Sequence, residues 1–310
     1  MSESGGLTRR TESLLRALRT RHGRRDSEYC FCDGLRASRE VVTLAPDLVE
    51  LVILREGTPL PFPSPVEPVV LPQSEFDRIA PTVHSQGILV LSRRPEPVPL
   101  SVPMADPFAL VLDRVGDPGN FGTILRTARA VGLHEVWLTR GTADPFSDKV
   151  VRSASGAQVS LKIRYGGDLT ELAADLRKLG VKTCYRTLPA SGGNVFLEPD
   201  LFDRSAIILG CEATGVAELE QAEMGAHELF PLFELEAGGG STSRTFSLRR
   251  STTRTLERIW MNFRSLKASK PTPSASSCLE RKCAISSLVR MLVDLSNVAL
   301  SAKIHAWECR

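Results

Sequence analysis

No apolar run in the chain approaches the roughly 18–20 residues needed to span a bilayer. The longest, such as Gly-Ile-Leu-Val-Leu at 87–91 and Ala-Ile-Ile-Leu at 206–209, stop at four or five. No transmembrane segment is therefore expected, and no membrane partner. The spacing C-x₂-C is also missing from the seven cysteines, which are Cys30, Cys32, Cys184, Cys211, Cys278, Cys283 and Cys309. Cys30-x-Cys32 and Cys278-x₄-Cys283 are thus read as buried or incidental thiols, with no histidine at a ligand-like interval, and no metal is expected. An odd number of cysteines in a long chain with no evident secretory signal predicts an intracellular, reducing compartment. No internal repeat of 20–50 residues is visible, which excludes solenoids and propellers.

Net charge is scarce as well, at +3 from 39 Lys and Arg against 36 Asp and Glu, but that average conceals a division. Residues 1–39 hold nine basic and five acidic side chains, residues 40–237 hold 17 and 27, and residues 238–310 hold 13 and four. The three regions thus carry +4, −10 and +9. With 42% hydrophobic and 24% charged residues the composition is globular, and 310 residues suffice for two domains.

Residues 7–25 place Leu7, Leu14, Leu15 and Leu18 on one helical face and spread arginines over the rest. A basic, serine-containing start of this kind resembles an organellar presequence, but Glu12, Asp26 and Glu28 are of the type such presequences avoid. The reading taken is a basic first helix that helps hold an anionic partner. The protein is accordingly placed in the cytoplasm, with mitochondrion or chloroplast as the alternative.

Strands are then expected at 28–32, 48–56, 68–72 and 87–94, with helices at 35–42 and from Ser74, a candidate cap. Residues 1–98 form a small α/β module on this reading. Residues 95–107 hold five prolines, so they can neither continue a helix nor occupy a central strand, and 99–107 is assigned as the linker. From Phe108 strands and helices alternate: strands at 108–115, 135–140, 161–165, 182–187 and 205–210, helices at 122–132, 148–157, 169–180 and 216–225. Such alternation predicts an α/β domain, 108–236, built on a mainly parallel sheet. Residues 237–310 lack apolar periodicity and are rich in Ser, Thr, Arg and Lys, which predicts a solvated or disordered basic segment.

Two strand-loop-helix constellations carry chemistry. In Asp117-Pro118-Gly119-Asn120-Phe121-Gly122-Thr123-Ile124-Leu125-Arg126 the glycines permit close backbone approach, and the N–H groups at a helix start favour an anion. Arg126 lies where its fork can hold a phosphate. The bland alternative is a tight βα turn. A dinucleotide site is the rival, but G-x-G-x-x-G is absent, and the acidic residue such a site needs would have to be Glu135, which precedes the second strand instead of ending it. The second constellation, Ile207-Ile208-Leu209-Gly210-Cys211-Glu212-Ala213-Thr214-Gly215-Val216, sets Glu212 between two glycines. Either that carboxylate simply favours a helix start, or it orients the loop or a basic partner.

Residues 108–236 closely resemble the SpoU/TrmH family of RNA 2′-O-ribose methyltransferases, within the SPOUT superfamily of knotted methyltransferases. The segment from Asp117 to Arg126 is similar to the family's N-x-G-x-x-x-R motif, 209–216 to its second motif, and 230–233 (Phe-Pro-Leu-Phe) to the start of its third. Residues 21–41 and 82–94 resemble the segments that open and close the family's substrate-binding domain, with Asp33 where Glu is usual. The resemblance implies a knotted, parallel-sheet methyltransferase domain preceded by a small α/β domain, S-adenosylmethionine as donor, and a homodimer. It implies Asn120, Arg126 and Glu212 as catalytic-loop residues and a cofactor lined by Gly210, Phe230 and Leu232. Arg24, Arg25 and Arg152 are the candidates for contact with RNA, which the resemblance makes ribosomal RNA before transfer RNA.

A guanidinium is a poor general base, so Arg126 is read as clamping the phosphate beside the target ribose and stabilising the developing alkoxide. Asn120 then holds that arginine or the ribose, and Glu212 fixes the loop. After Phe233 the chain leaves the family pattern, and Ser296-Asn297, in reversed Leu-Ser order, is the nearest later match to the segment that closes the knot. Either a basic insertion divides the third motif or unrelated sequence replaces its end. In the second case the chain is an RNA-binding homologue with impaired catalysis. A nucleotide-binding α/β protein of another kind is the remaining alternative.

Overall fold

The computed structural model describes residues 6–25, 27–82, 84–187, 204–211 and 215–217, and the backbone of 225–229. Glu212, Phe230, Leu232, Ser296, Asn297, most of the helix expected at 216–225 and the whole of 237–310 lie outside the described residues.

The first helical segment divides in two. Helix α1 (Arg9–Leu18) is capped by Thr8, whose side chain accepts from the Thr11 N–H, and buries Leu15 and Leu18. A turn at Arg19-Thr20 separates it from the short α2 (Arg21–Arg25). Strands β1 (Tyr29–Asp33), β2 (Val49–Arg55), β3 (Val69–Leu71) and β4 (Ile88–Arg93) form a sheet in the order β1-β4-β2-β3. The β1–β4 and β4–β2 pairs are antiparallel and β2–β3 is parallel. Helix α3 (Leu35–Leu44) follows β1, and α4 (Gln73–Ile79) follows β3. Ser74 is not the cap of α4: the cap position falls two residues earlier, at Pro72, whose fixed φ suits a helix entrance and which makes no side-chain cap bond. One face of the sheet carries Phe31, Ile53, Leu71, Leu89 and Leu91 against Leu15, Leu18, Phe76 and Ile79 of α1 and α4.

The second sheet contains β5 (Phe108–Leu112), β6 (Glu135–Leu138), β7 (Lys162–Tyr165), β8 (Thr183–Thr187), β9 (Ser205–Leu209) and β10 (Gly225–Leu229). All its pairings are parallel, in the order β10-β8-β9-β5-β6-β7. The intervening helices are α5 (Pro118–Ala130), α6 (Asp148–Ala154) and α7 (Leu169–Lys178). Right-handed crossovers that move one way from β5 to β6 to β7, and back past them to β8, place α5 and α6 on one face and α7 on the other. Accordingly α7 packs Leu169, Leu172, Ala173 and Leu176 against Ala109 and Val111, the residues of β5 that alternate onto that face. Continuous burial of β5, β6 and β9 follows from cover on both sides.

Strand β10 was not anticipated. The stretch 216–225 is read from sequence as a helix and 230–233 as the next landmark, so Gly-Ala-His-Glu-Leu at 225–229 is passed over, having one apolar alternation and a leading glycine. In the structure it pairs in parallel with β8 at the sheet edge.

The proline-rich segment is tied down at the opposite edge by Arg164 of β7, which is 1% exposed. Its Nε and Nη2 donate to Glu135 Oε2 at 3.0 and 2.8 Å. Nη1 donates to the carbonyls of Pro99 and Val102 at 2.9 and 2.7 Å, and Nη2 also donates to that of Pro103 at 2.8 Å. The guanidinium lies over the Trp137 ring, 4.5 Å from its centre. All five donors are thus used. This arrangement gives Glu135 a structural role and removes it as a ribose ligand.

The two sheets share a buried boundary. Helix α6 packs against β1 and α3, Arg24 Nε donates to Asp144 Oδ2 at 3.0 Å, and the Arg94 guanidinium lies 4.8 Å from the centre of the Phe146 ring. Gly156, at φ +81°, follows α6 where a Cβ would stand 3.0 Å from the Ala37 carbonyl and from Val41. Cys30 and Cys32 are buried in β1, and the Cys32 thiol is pushed well up by its neighbour Cys30 and by burial. Among the described residues, no helix is long and apolar enough to cross a membrane.

Candidate active site

Strands β5 and β9 are neighbours, with Phe108 to Leu112 opposite Ser205 to Leu209. The chain leaves β5 toward β6 on one side, and after β9 it reaches β10 on the other. Their carboxyl ends therefore flank a topological switch point, where open parallel sheets form ligand crevices. Both constellations read from the sequence emerge here, one after each strand. The pairing continues one step past the strands, as Asp113 N–H donates to Leu209 C=O at 2.7 Å.

Helix α5 begins at Pro118, four residues earlier than expected, because Asp117 caps it and proline at the first position sacrifices no helical bond. Asp117 Oδ1 accepts from the Asn120 N–H at 2.9 Å. That bond is the main cause of a carboxyl pKa held below the usual value, with Lys149, 3.6 Å away, assisting. The expectation of an anion held by bare N–H groups at this helix start is thus corrected: the chain's own carboxylate occupies the place. Asn120 is half-buried in the first turn, and Arg126 is exposed. The i, i+3, i+7 spacing puts Arg126 on the face of α5 that carries Gly119 and Gly122.

That face meets α6. A Cβ on Gly122 would lie 2.7 Å from Ser153 Cβ and 2.8 Å from the Ala154 nitrogen, so only glycine permits this crossing. The Ser153 hydroxyl lies 3.0 Å from the Pro118 carbonyl, at the first turn of α5, and shares its one proton between that acceptor and the Lys149 carbonyl of α6 at 2.8 Å. Sequence reasoning missed Ser153, since one serine among DKVVRSASGA gives no signal until the crossing is known.

After β9, Gly210 approaches the backbone of Gly215 and Val216 so closely that no Cβ fits. Cys211 N–H donates to Gly215 C=O at 3.1 Å and Gly215 N–H returns to Cys211 C=O at 2.7 Å. These reciprocal bonds close the base of the loop that carries Glu212, with Gly215 at φ +68°. Val216 is buried beyond it in the α7-side core.

The three basic candidates are differently placed. Arg25 and Arg152 are exposed. The Arg24 guanidinium is engaged by Asp144 and by the Leu18 carbonyl, at 3.1 Å from Nη1. Arg24 and Arg152, with Arg19, act on Asp148, whose carboxyl is raised by burial and lowered in part by these three cations. The small module and α6 thus bring Arg24 and Arg152 to one acidic group.

Residues 107–228 match the SpoU rRNA Methylase family. The chain is 30% identical over 184 residues to the 23S rRNA (guanosine(2553)-2′-O)-methyltransferase RlmP of Bacillus subtilis, covering 58% of this chain and 71% of RlmP. It belongs to the SpoU rRNA methylase family. Mouse mitochondrial rRNA methyltransferase 3 is 38% identical over 86 residues, which is 26% of this chain and 21% of that protein. The chain thus spans over two thirds of RlmP but about a fifth of the mouse protein. Among solved structures, a TrmH-family protein from Porphyromonas gingivalis superposes with a TM-score of 0.61 at 27% identity, over 75% of this chain and 92% of that one. An AdoMet-bound rRNA methyltransferase from Sinorhizobium meliloti shares the fold, with a TM-score of 0.58 at 22% identity over 77% and 90% of the two chains. The resemblance read from 117–126 and 209–216 is borne out, and the α/β fold with its parallel sheet is that of SpoU proteins.

Proposed function

We propose that this protein transfers the methyl group of S-adenosylmethionine to a ribose 2′-hydroxyl of RNA, and that the RNA is ribosomal. The observation that carries this is the meeting of the two SpoU loops at one switch point, through the β5–β9 pairing. Family membership supports the cofactor, the reaction and the ribosomal substrate, and RlmP is named for 2′-O-methylation of 23S rRNA.

The residues present fit the donor. Gly210 and Gly215 leave the second loop without side chains at both ends, so its backbone polar groups can line an adenosyl pocket, which Phe230 and Leu232 complete in the family pattern. S-adenosylmethionine supplies an electrophilic methyl on a sulfonium. The protein supplies alignment and charge. Arg126 clamps the phosphate beside the target ribose and stabilises the oxygen as it gains negative character. Asn120 positions that arginine or the ribose, and Glu212 fixes the loop on the other side of the crevice. Arg25 and Arg152 contact phosphates, joined by Arg24 to the extent that Asp144 releases it. The loops form a trefoil knot, the small module of 1–98 binds the RNA, the 99–107 segment links it to the catalytic domain of 108–236, and two chains form a homodimer. The site of action is the cytoplasm, with mitochondrion or chloroplast as the alternative that the mitochondrial relatives favour.

Arg126→Ala should lower methyl transfer by at least a hundredfold while changing S-adenosylmethionine affinity less than threefold, orders of magnitude typical of a lost transition-state contact. Undiminished activity would remove Arg126 from the site. The departure from the third motif after Phe233 favours a second reading, an RNA-binding homologue without catalysis. Calorimetry separates the two: micromolar binding of S-adenosylmethionine supports the enzyme, and RNA binding without cofactor binding supports the other.

A further inference from the structure

We infer that Asp113 is the positioning residue that sets the Gly210–Gly215 loop for cofactor binding; this rests on the proposed S-adenosylmethionine site. Asp113 stands immediately beyond β5 and is 1% exposed. Its Oδ2 accepts the Ala217 N–H at 2.9 Å, 104 residues away in sequence. Its Oδ1 accepts the Thr139 hydroxyl, beyond β6, at 2.8 Å. Arg114 Nε and Nη2 both lie 3.2 Å from Oδ2, and the Arg114 N–H donates to Thr139 Oγ1 at 3.0 Å. One carboxylate therefore joins the segments that follow β5, β6 and β9, the three that frame the crevice.

The arrangement costs more than packing would require. A buried carboxylate is tolerated only when its lone pairs are filled, and here a backbone amide, a hydroxyl and a guanidinium fill them. Arg114 meanwhile sits at φ +53°, a left-handed conformation that a residue with a Cβ adopts only at an energetic cost. An apolar side chain could cap β5 without either expense. What it could not do is hold Ala217 N–H, and with it the exit of a loop whose entrance is fixed by Asp113 N–H on Leu209 C=O. Asp113 thus grips the second loop at both ends, its backbone at the entrance and its side chain at the exit.

Asp113→Asn is nearly isosteric but turns one amide N–H toward donors and removes the partner of Arg114. In the full-length variant, S-adenosylmethionine Kd measured by calorimetry should rise roughly tenfold or more, the scale of one charge-assisted bond lost. RNA Kd should stay close to wild type while the thermal midpoint falls by a few degrees, because the lost bond also belongs to the unliganded fold, and KM for S-adenosylmethionine should rise without a matching rise in KM for RNA. Thr139→Val, which keeps the Ala217 contact, should change cofactor Kd less than threefold. Amide hydrogen exchange without cofactor gives an independent reading: the Ala217 amide should exchange at least tenfold faster in Asp113→Asn while Leu110 in β5 is unaffected. Unchanged Ala217 exchange, or a loss of RNA affinity that matches the loss of cofactor affinity, overturns the inference. If wild type binds no cofactor the function proposed above fails, and the exchange result still decides whether Asp113 holds the loop.

Discussion

At the scale of single residues, two of the buried charges differ in purpose. Asp113 holds loops at the crevice, whereas Arg164 holds the proline-rich crossing to the sheet edge by three carbonyls and to Glu135 by two further bonds. Prolines supply carbonyls without N–H groups, so a segment of this kind needs donors from elsewhere, and one guanidinium provides them. Arg164→Ala would strand Glu135 as an uncompensated buried charge. Urea unfolding should show a loss of about 3–5 kcal/mol, and Arg164→Lys should recover little of it, since an ammonium cannot reproduce a planar five-donor fork. A loss below about 1 kcal/mol would mean that the crossing is held by packing alone, through Leu100 and Met104 on the core.

At the scale of elements, α6 does the joining. It crosses α5 at Gly122, lies against β1 and α3, and presents Asp148 to Arg24, Arg19 and Arg152. Burial raises the Asp148 carboxyl above its usual value, with the three cations opposing. The native state therefore binds this proton more readily than the unfolded chain, and the contribution of Asp148 to stability falls as pH rises from about 3.8 through the raised native value, then stays level. Asp148→Asn lacks that slope. Comparing urea midpoints of the two proteins from pH 3.5 to 7 should show wild type losing ground to Asp148→Asn as pH increases; a difference independent of pH would contradict the burial of that carboxyl. The alternation of strands and helices from Phe108 was legible because each helix has one apolar face and each buried strand is continuously apolar, and five of the six strands described in this sheet follow from it. Strand β10 was not, since edge strands need less apolar sequence than central ones. The α4 entrance was misread because Ser74 has the right chemistry two residues too late, behind a proline that fixes the turn itself. Arg126 stands out in the sequence as a phosphate-holding candidate one turn into its helix, whereas the roles given to Asn120 and Gly210 come from the family resemblance. Ser153, Asp113 and Arg164 were not, because their partners are tens of residues away and no local pattern marks such pairs.

At the scale of the whole molecule, the division of charge takes on structural meaning. The +4 of residues 1–39 is carried partly by α1 and α2, where Arg25 is exposed and Arg24 is neutralised by Asp144. The −10 of residues 40–237 covers the sheet that bears the proposed site. On the function proposed here, local arginines would hold RNA against an acidic background, and its affinity should fall with salt more gently than for a uniformly basic protein. The central claim is methyl transfer to the ribose itself. Incubating the full chain with ribosomal RNA and S-adenosylmethionine labelled in its methyl group, then hydrolysing the RNA in alkali, tests it most directly, because a methylated 2′-oxygen cannot attack its own phosphate. The account predicts label in an alkali-resistant dinucleotide, lost in Arg126→Ala. Label released in mononucleotides, which marks a methylated base, or no incorporation at all, would contradict it.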